Sequence, residues 1–148
     1  MSRIALITGA TSGIGRATAN AFADLEYRLI LCGRRQERLA ELEEQLGSQT
    51  PVITLSFDVR DWTEVNDAIS TLPDEWKAID ILVNNAGNAF GMSPIQDGDI
   101  ADWDLMIDGN VQGLLYVSKA VTPGMVERQR GHIVNLSSIA GKQTYANG

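Results

Sequence analysis

Three glycines, at positions 9, 13 and 15, punctuate the stretch Thr8-Gly9-Ala10-Thr11-Ser12-Gly13-Ile14-Gly15. They follow Arg3-Ile4-Ala5-Leu6-Ile7, an apolar run of strand length, and open an Ala-rich segment, residues 16–25, that reads as a helix. A strand, a glycine-rich turn and a helix in that order can hold a diphosphate. Glycine lets the backbone approach the ligand, and the helix start offers unpaired N–H groups and the positive end of a dipole. The spacing is G-x-x-x-G-x-G rather than the commoner G-x-G-x-x-G. Taken alone, such a loop is equally a plain strand-to-helix turn, so its meaning depends on the rest of the chain. Asn84-Asn85-Ala86-Gly87 ends another apolar run, and two adjacent amides beside a glycine favour ligand contact there. Arg34 and Arg35 follow a third apolar run, and each guanidinium has the fork geometry to grip a phosphate. Asn110 sits mid-helix, where an amide costs helix propensity; its neighbours Ile107, Val111 and Leu114 predict partial burial and a specific partner.

The elements that must position these groups alternate strand and helix throughout, the signature of a parallel sheet covered by helices. Residues 4–7 predict a central strand, being almost wholly apolar. The helix that follows from Gly13 places Ile14, Ala17, Ala21 and Leu25 on one face at spacings of three or four. Residues 29–32 predict the second strand, and residues 36–46 a second helix with Leu39, Leu42 and Leu46 inward. Residues 51–57 alternate Ile53, Leu55 and Phe57 with Val52, Thr54 and Ser56, a pattern that suits an edge strand. Asp61 and Glu64 resemble a capping box for a helix whose core stripe is Val65, Ala68, Ile69 and Leu72, stopped by Pro73. Residues 79–84 form the fourth strand, followed by a loop over residues 85–99. Residues 101–128 predict a long helical region with an apolar surface of Val111, Leu114, Leu115, Tyr116, Ala120, Val121 and Met125, kinked at Pro123. Gly131 ends it, and residues 132–136 are the fifth strand.

Right-handed crossovers from a central first strand predict the order 3-2-1-4-5, a Rossmann-type, doubly wound α/β fold in three layers. The ligand then belongs where the order reverses, between the first and fourth strands, beside residues 8–15 and 84–87.

A chain of 148 residues suffices for one domain, and 44% hydrophobic with 21% charged residues is the balance of a soluble globular protein. A net charge of −7 argues against a nucleic-acid or anionic-membrane surface while leaving room for a locally basic pocket. One cysteine, Cys32, and one histidine, His132, preclude an internal disulfide and a zinc cluster. No leader or membrane-spanning run is expected, so the expected location is cytoplasmic.

Together these motifs resemble the N-terminal part of a classical short-chain dehydrogenase/reductase. The matching features are Thr8-Gly9-x-x-x-Gly13-Ile14-Gly15, Asp58 after the third strand and Asn84-Asn85-Ala86-Gly87 after the fourth. Asn110 with Gly113 follows in the long helix, and Asn135-Leu136-Ser137-Ser138 with Ala140-Gly141 after the fifth strand. Five matches in register are more specific than any one. The resemblance implies cofactor contacts from Gly9, Thr11, Ser12, Gly13, Ile14, Arg34, Arg35, Asp58, Val59, Asn85, Ala86 and Gly87. Asp58 would face the adenine, since a carboxylate can accept a hydrogen bond from its exocyclic amino group. Ser138, rather than its neighbour Ser137, would polarise the substrate carbonyl, and Asn110 would hold a water in a proton relay. No acidic residue lies between Leu31 and Arg35 to accept from a ribose 2′-hydroxyl, so Arg34 and Arg35 point to the 2′-phosphate of NADP. No metal is implied. Arg34-Arg35-Gln36-Glu37-Arg38-Leu39, Ile79-Asp80-Ile81-Leu82-Val83, Gly91-Met92 and Pro123-Gly124-Met125-Val126-Glu127-Arg128 are similar to the NADP-dependent dehydrogenases of 3-hydroxy acids, including serine.

The family's proton donor is a tyrosine followed four residues later by a lysine, whose charge lowers the tyrosine pKa. Its usual offset from Ser138 falls at position 151, beyond Gly148, and Tyr145 has no lysine at that spacing. The expectation is a cofactor-binding domain over residues 1–148 that stops before that segment, lacks the last strands and helices, and turns over negligibly. The intact protein would act on a small hydroxy acid or carbonyl substrate as a homo-oligomer, a dimer or tetramer. The other reading is a nucleotide-binding module without catalysis.

Overall fold

A computed structural model describes residues 2–145. Its strands are β1 (Ile4–Thr8), β2 (Arg28–Gly33), β3 (Val52–Ser56), β4 (Ile79–Asn84) and β5 (His132–Asn135). The helices are α1 (Gly13–Asp24), α2 (Gln36–Gly47), α3 (Trp62–Ser70), α4 (Ile100–Ile107) and α5 (Gly113–Glu127). All strand pairs are parallel, in the order β3-β2-β1-β4-β5, as the alternation of elements predicts. No helix among the described residues is long and apolar enough to cross a membrane.

Strand side chains alternate between the two faces. Ile4, Leu6, Ile30 and Cys32 meet Val65 and Ile69 of α3 and Val117, Val121 and Met125 of α5 on one face. Ala5, Ile7, Leu29 and Leu31 meet Ala19 and Ala23 of α1 and Leu39, Leu42 and Leu46 of α2 on the other. β1 is buried along its whole length, which places Thr8 and the loop after it at the centre of the sheet's C-terminal edge. β3 is half-buried and at one edge, as its alternating sequence suggests.

The structure departs from the sequence reading in several places. The inward face of α1 is Gly15, Ala19 and Ala23, while Ile14, Ala17, Ala21 and Leu25 are exposed. At Gly15 no side chain fits, because α1 starts hard against the preceding loop. A Cβ on Gly15 would lie 2.2 Å from the carbonyl oxygen of Gly9. The helical region of residues 101–128 is interrupted at Asp108–Gln112, one turn of π-helix between α4 and α5, and α5 accommodates Pro123 within its length. Val111 and Leu115 are exposed; the buried residues of α5 are Gly113, Val117, Val121 and Met125, with Tyr116 and Ala120 packed against the core as expected. Finally, Asp61 caps α3 by accepting from Thr63 and Glu64 N–H, but Glu64 Oε2 accepts the N–H of Asp58 rather than closing a capping box.

At the far end of the sheet, Asp80 accepts the N–H of Ile4 at 2.9 Å and pairs with Arg130 at 2.6 Å. The β1–β4 register slips there, between Ile4 and Ala5.

Candidate functional site

The C-terminal ends of β1 to β4 open into a cleft of about 330 Å³ at the point where the strand order reverses. Open parallel sheets bind ligands at such points because the loops on either side diverge. Gly9, Thr11, Ser12, Gly13, Ile14, Arg34, Arg35, Asp58, Val59, Asn85, Ala86 and Gly87 all line it. The structure thus places these residues around one cleft. Cys32, Gly33, Phe57, Arg60, Asn88 and Gly109 line it as well, and sequence reasoning missed them.

Thr8 knots the two loops that flank the cleft. Its buried Oγ1 accepts the N–H groups of Asn85 and Ala86, each at 3.0 Å, and donates to Val83 O at 3.4 Å. Asn85 Nδ2 returns the contact, donating to Thr8 O at 2.9 Å and Gly9 O at 3.1 Å. Asn85 Nδ2 is therefore committed to the protein, where it holds the shape of the glycine loop. Asn84 Nδ2 donates to Ser118 Oγ and Asn135 Oδ1, both at 2.9 Å, tying β4 to α5 and β5.

Gly9 and Gly13 have φ of +63° and +51°, the left-handed region that glycine enters without strain. A Cβ on Gly13 would meet nothing within 4 Å, so this turn presents bare backbone to the cleft. Ser12 is the N-cap of α1, yet its side chain makes no capping bond. The first-turn N–H groups of α1 thus keep their donors and the helix dipole for an anion.

The charged wall comes from β2 and β3. Arg35 Nη2 donates to Thr11 Oγ1 at 3.2 Å, and Arg34 is exposed with Nη1 3.7 Å from Asp58 Oδ2. Arg60 lies across the carboxylate: its Nε is 3.0 Å from Oδ1 and 3.1 Å from Oδ2, and its Nη2 is 2.6 Å from Oδ2. These side-chain hydrogen bonds hold the Asp58 carboxyl below its ordinary value against the opposing effect of burial. Burial alone pushes the Cys32 thiol up, so it stays protonated at the base of the cleft.

Asn110 lies in the π-turn, outside the cleft lining, and is exposed rather than partly buried as its neighbours suggest. It nonetheless has the specific partner predicted for it. Its Oδ1 accepts the N–H of Asn88 and its Nδ2 donates to Asn88 O, each at 2.8 Å. Two glycines permit this: a Cβ on Gly87 would sit 2.9 Å from Asn110 Oδ1, and one on Gly109 2.4 Å from Asn88 Nδ2. Gly113 likewise clears Val59 where α5 crosses the loop after β3. Ser138 also lies outside the cleft lining. It caps a short 3₁₀ turn, Ile139–Gly141, its Oγ accepting the N–H of Ala140 at 3.1 Å. No cluster of three or more His, Cys, Asp or Glu suited to a metal occurs among the described residues.

The chain is similar to known proteins. The chain is 46% identical over 145 residues to an NADP-dependent 3-hydroxy acid dehydrogenase of Salmonella typhi, covering 98% of this chain and 58% of that protein. It is 51% identical over 146 residues to sulfoacetaldehyde reductase 2 of Chromohalobacter salexigens, with the same two coverages. The solved closed form of a serine dehydrogenase complexed with NADP+ superposes with a TM-score of 0.91 at 48% identity, over 98% of this chain and 58% of that one. The chain thus spans somewhat over half the length of the curated relatives it matches. The family model for short chain dehydrogenases matches residues 3–148. That match covers nearly the whole chain, including its glycine loop and its Asn84–Gly87 turn, and the chain belongs to the short-chain dehydrogenase family.

Proposed function

We propose that this chain is the NADP-binding part of an oxidoreductase acting on the CH–OH group of a small hydroxy acid, such as a 3-hydroxy acid or serine. The observation that carries the reading is the cleft itself, where a bare glycine turn, an uncapped helix start and three arginines meet. The residues fit the cofactor's chemistry at each charged point. Gly9, Thr11, Ser12, Gly13 and Ile14 offer backbone N–H groups and a helix N-terminus to a diphosphate. Arg34, extended into solvent, and Arg35, braced on Thr11, suit a 2′-phosphate. Asp58 and Val59, which line the cleft beside the arginines, would take the adenine end, and Ala86 and Gly87 line the cleft on the other side of the glycine turn. When bound, NADP supplies hydride exchange at its nicotinamide ring.

The chain's own residues would orient and polarise. Ser138 spends its oxygen on Ala140 N–H, and its O–H proton is committed to no carbonyl among the described residues, so it can donate to a substrate oxygen. Asn110 spends its side chain on Asn88, so a relay water would rest on its main chain. Within these 148 residues no tyrosine is followed four positions on by a lysine, and turnover by them alone is expected to be negligible. Exposed Ile100, Trp103 and Ile107 of α4, Val111 of the π-turn and Leu115 of α5 recur every three or four residues and support association of the intact protein.

Titration of the purified chain with NADPH and NADH tests the reading. NADPH is expected to bind more tightly, and Arg34→Asp to weaken NADPH by about tenfold or more relative to NADH. An unchanged ratio in Arg34→Asp would overturn the 2′-phosphate assignment. Binding without turnover is expected of these residues on either reading, as part of an oxidoreductase or as a nucleotide-binding module, whereas no binding of either nucleotide would overturn both.

A further inference from the structure

Arg60 is the charged residue of the cleft to which the motifs assign no role. It faces Asp58 from two residues on, in a turn closed by Asp61 N–H to Asp58 O at 3.0 Å. Its main-chain N–H also donates to Asp58 Oδ1, at 3.0 Å. With Glu64 holding Asp58 N–H, the Asp58–Arg60 turn is fixed from several sides at little entropic cost. The Asp58 side chain is 23% exposed and that of Arg60 32%, whereas Arg34 is 68% exposed. Arg34 stands 3.7 Å from Asp58 Oδ2, inside ion-pair range but beyond a hydrogen bond. Both carboxylate oxygens are already occupied by Arg60.

From this geometry we infer that Arg60 is a positioning residue for cofactor specificity: by saturating Asp58 it keeps Arg34 free to meet a 2′-phosphate. The inference rests on the NADP reading above. Without Arg60 the carboxylate would be left partly buried with Arg34 as its nearest remaining side-chain cation. A long arginine side chain would then turn inward to pair with it. The phosphate would lose a partner and gain an unneutralised negative neighbour. Arg35 would not be diverted in the same way, because it is braced on Thr11.

The test is a double-mutant cycle on the full 148-residue chain, with adenosine 2′,5′-bisphosphate and adenosine 5′-phosphate as probes in calorimetric titrations. The ratio of the two dissociation constants isolates the 2′-phosphate, because any adenine contact from Asp58 is common to both. Arg60→Met is expected to lower the preference for the bisphosphate about three- to tenfold. Asp58→Asn is expected to change it by less than about twofold, and the double variant to return it to within about twofold of wild type. Additive effects, or no effect of Arg60→Met, would overturn the role of Arg60 while leaving the NADP reading standing. A wild-type chain without preference would overturn both. If Arg60→Met does not fold, Arg60→Lys carries the cycle: one charge without the fork should cost about two- to threefold, again reversed by Asp58→Asn. Failure of that reversal counts against the inference.

Discussion

Asn110 and Asn88 hold each other through a closed pair of hydrogen bonds, both 2.8 Å, in which the side-chain amide of one matches the backbone N–H and C=O of the other. The pair seams the loop after β4 to the π-turn between α4 and α5. Asn88 Nδ2 adds a third stitch to Leu105 O at 3.1 Å. A π-turn without such a seam is a poor alternative to continuous α-helix, so the two features are best understood as one device. Asn110→Ala should therefore destabilise by about 1–3 kcal/mol, and Asn110→Asp, which sets a carboxylate oxygen against the Asn88 carbonyl oxygen in place of the donor, by at least as much. Thermal unfolding of the two variants beside wild type checks the ordering. Equal melting temperatures for all three would contradict it.

Thr8→Val keeps the shape of a buried side chain and removes the acceptor for two N–H groups. The expected cost is about 2–4 kcal/mol, read from urea unfolding. Thr8→Ser keeps the hydroxyl and should lose under about 1.5 kcal/mol. A valine variant as stable as the serine one would show that the hydroxyl knot between the loops contributes nothing.

Gly15→Ala introduces a Cβ that would sit 2.2 Å from Gly9 O and 2.4 Å from Asn85 Nδ2. Neither neighbour can retreat without moving the glycine loop. A stability loss of about 1–3 kcal/mol is expected, with a larger fractional loss in nucleotide affinity than Gly47→Ala causes. Gly47 ends α2, and a Cβ there meets nothing within 4 Å, so it serves as the control.

Acid titration reports on Asp58. Its carboxyl is held below its ordinary value of 3.8, first by side-chain hydrogen bonds from Arg60. A depressed value in the folded state means that the unfolded chain binds the proton more readily. The stabilisation is then complete above about pH 5 and disappears as pH falls through 3.8 and on through the lower folded value. The stability difference between wild type and Arg60→Met should stay level from about pH 7 to pH 5 and shrink below about pH 4. Urea midpoints measured across that range provide the check, and a gap that stayed level to pH 3 would count against it.

Much of the architecture is determined by local pattern. The alternation of apolar runs with amphipathic segments carries the strand order, because parallel strands with right-handed crossovers leave few arrangements open. The glycine loop, Asn85-Ala86-Gly87 and the arginines after β2 converge for the same reason: each lies at the C-terminal end of a strand, and those ends share one edge of the sheet. The tertiary structure decided what depends on contacts between distant segments. The face of α1 was misread because hydrophobic size marks a helix's inner side only where there is room, and the Gly9 carbonyl leaves none beside Gly15. Asn88 gave no sequence signal at all, since its partner lies 22 residues away. Arg60 is only two residues from Asp58, yet its significance depends on Arg34 arriving from the neighbouring strand. Residue types and spacing along the chain determine which groups reach the cleft; the fold decides which of them remain free once their neighbours have been satisfied.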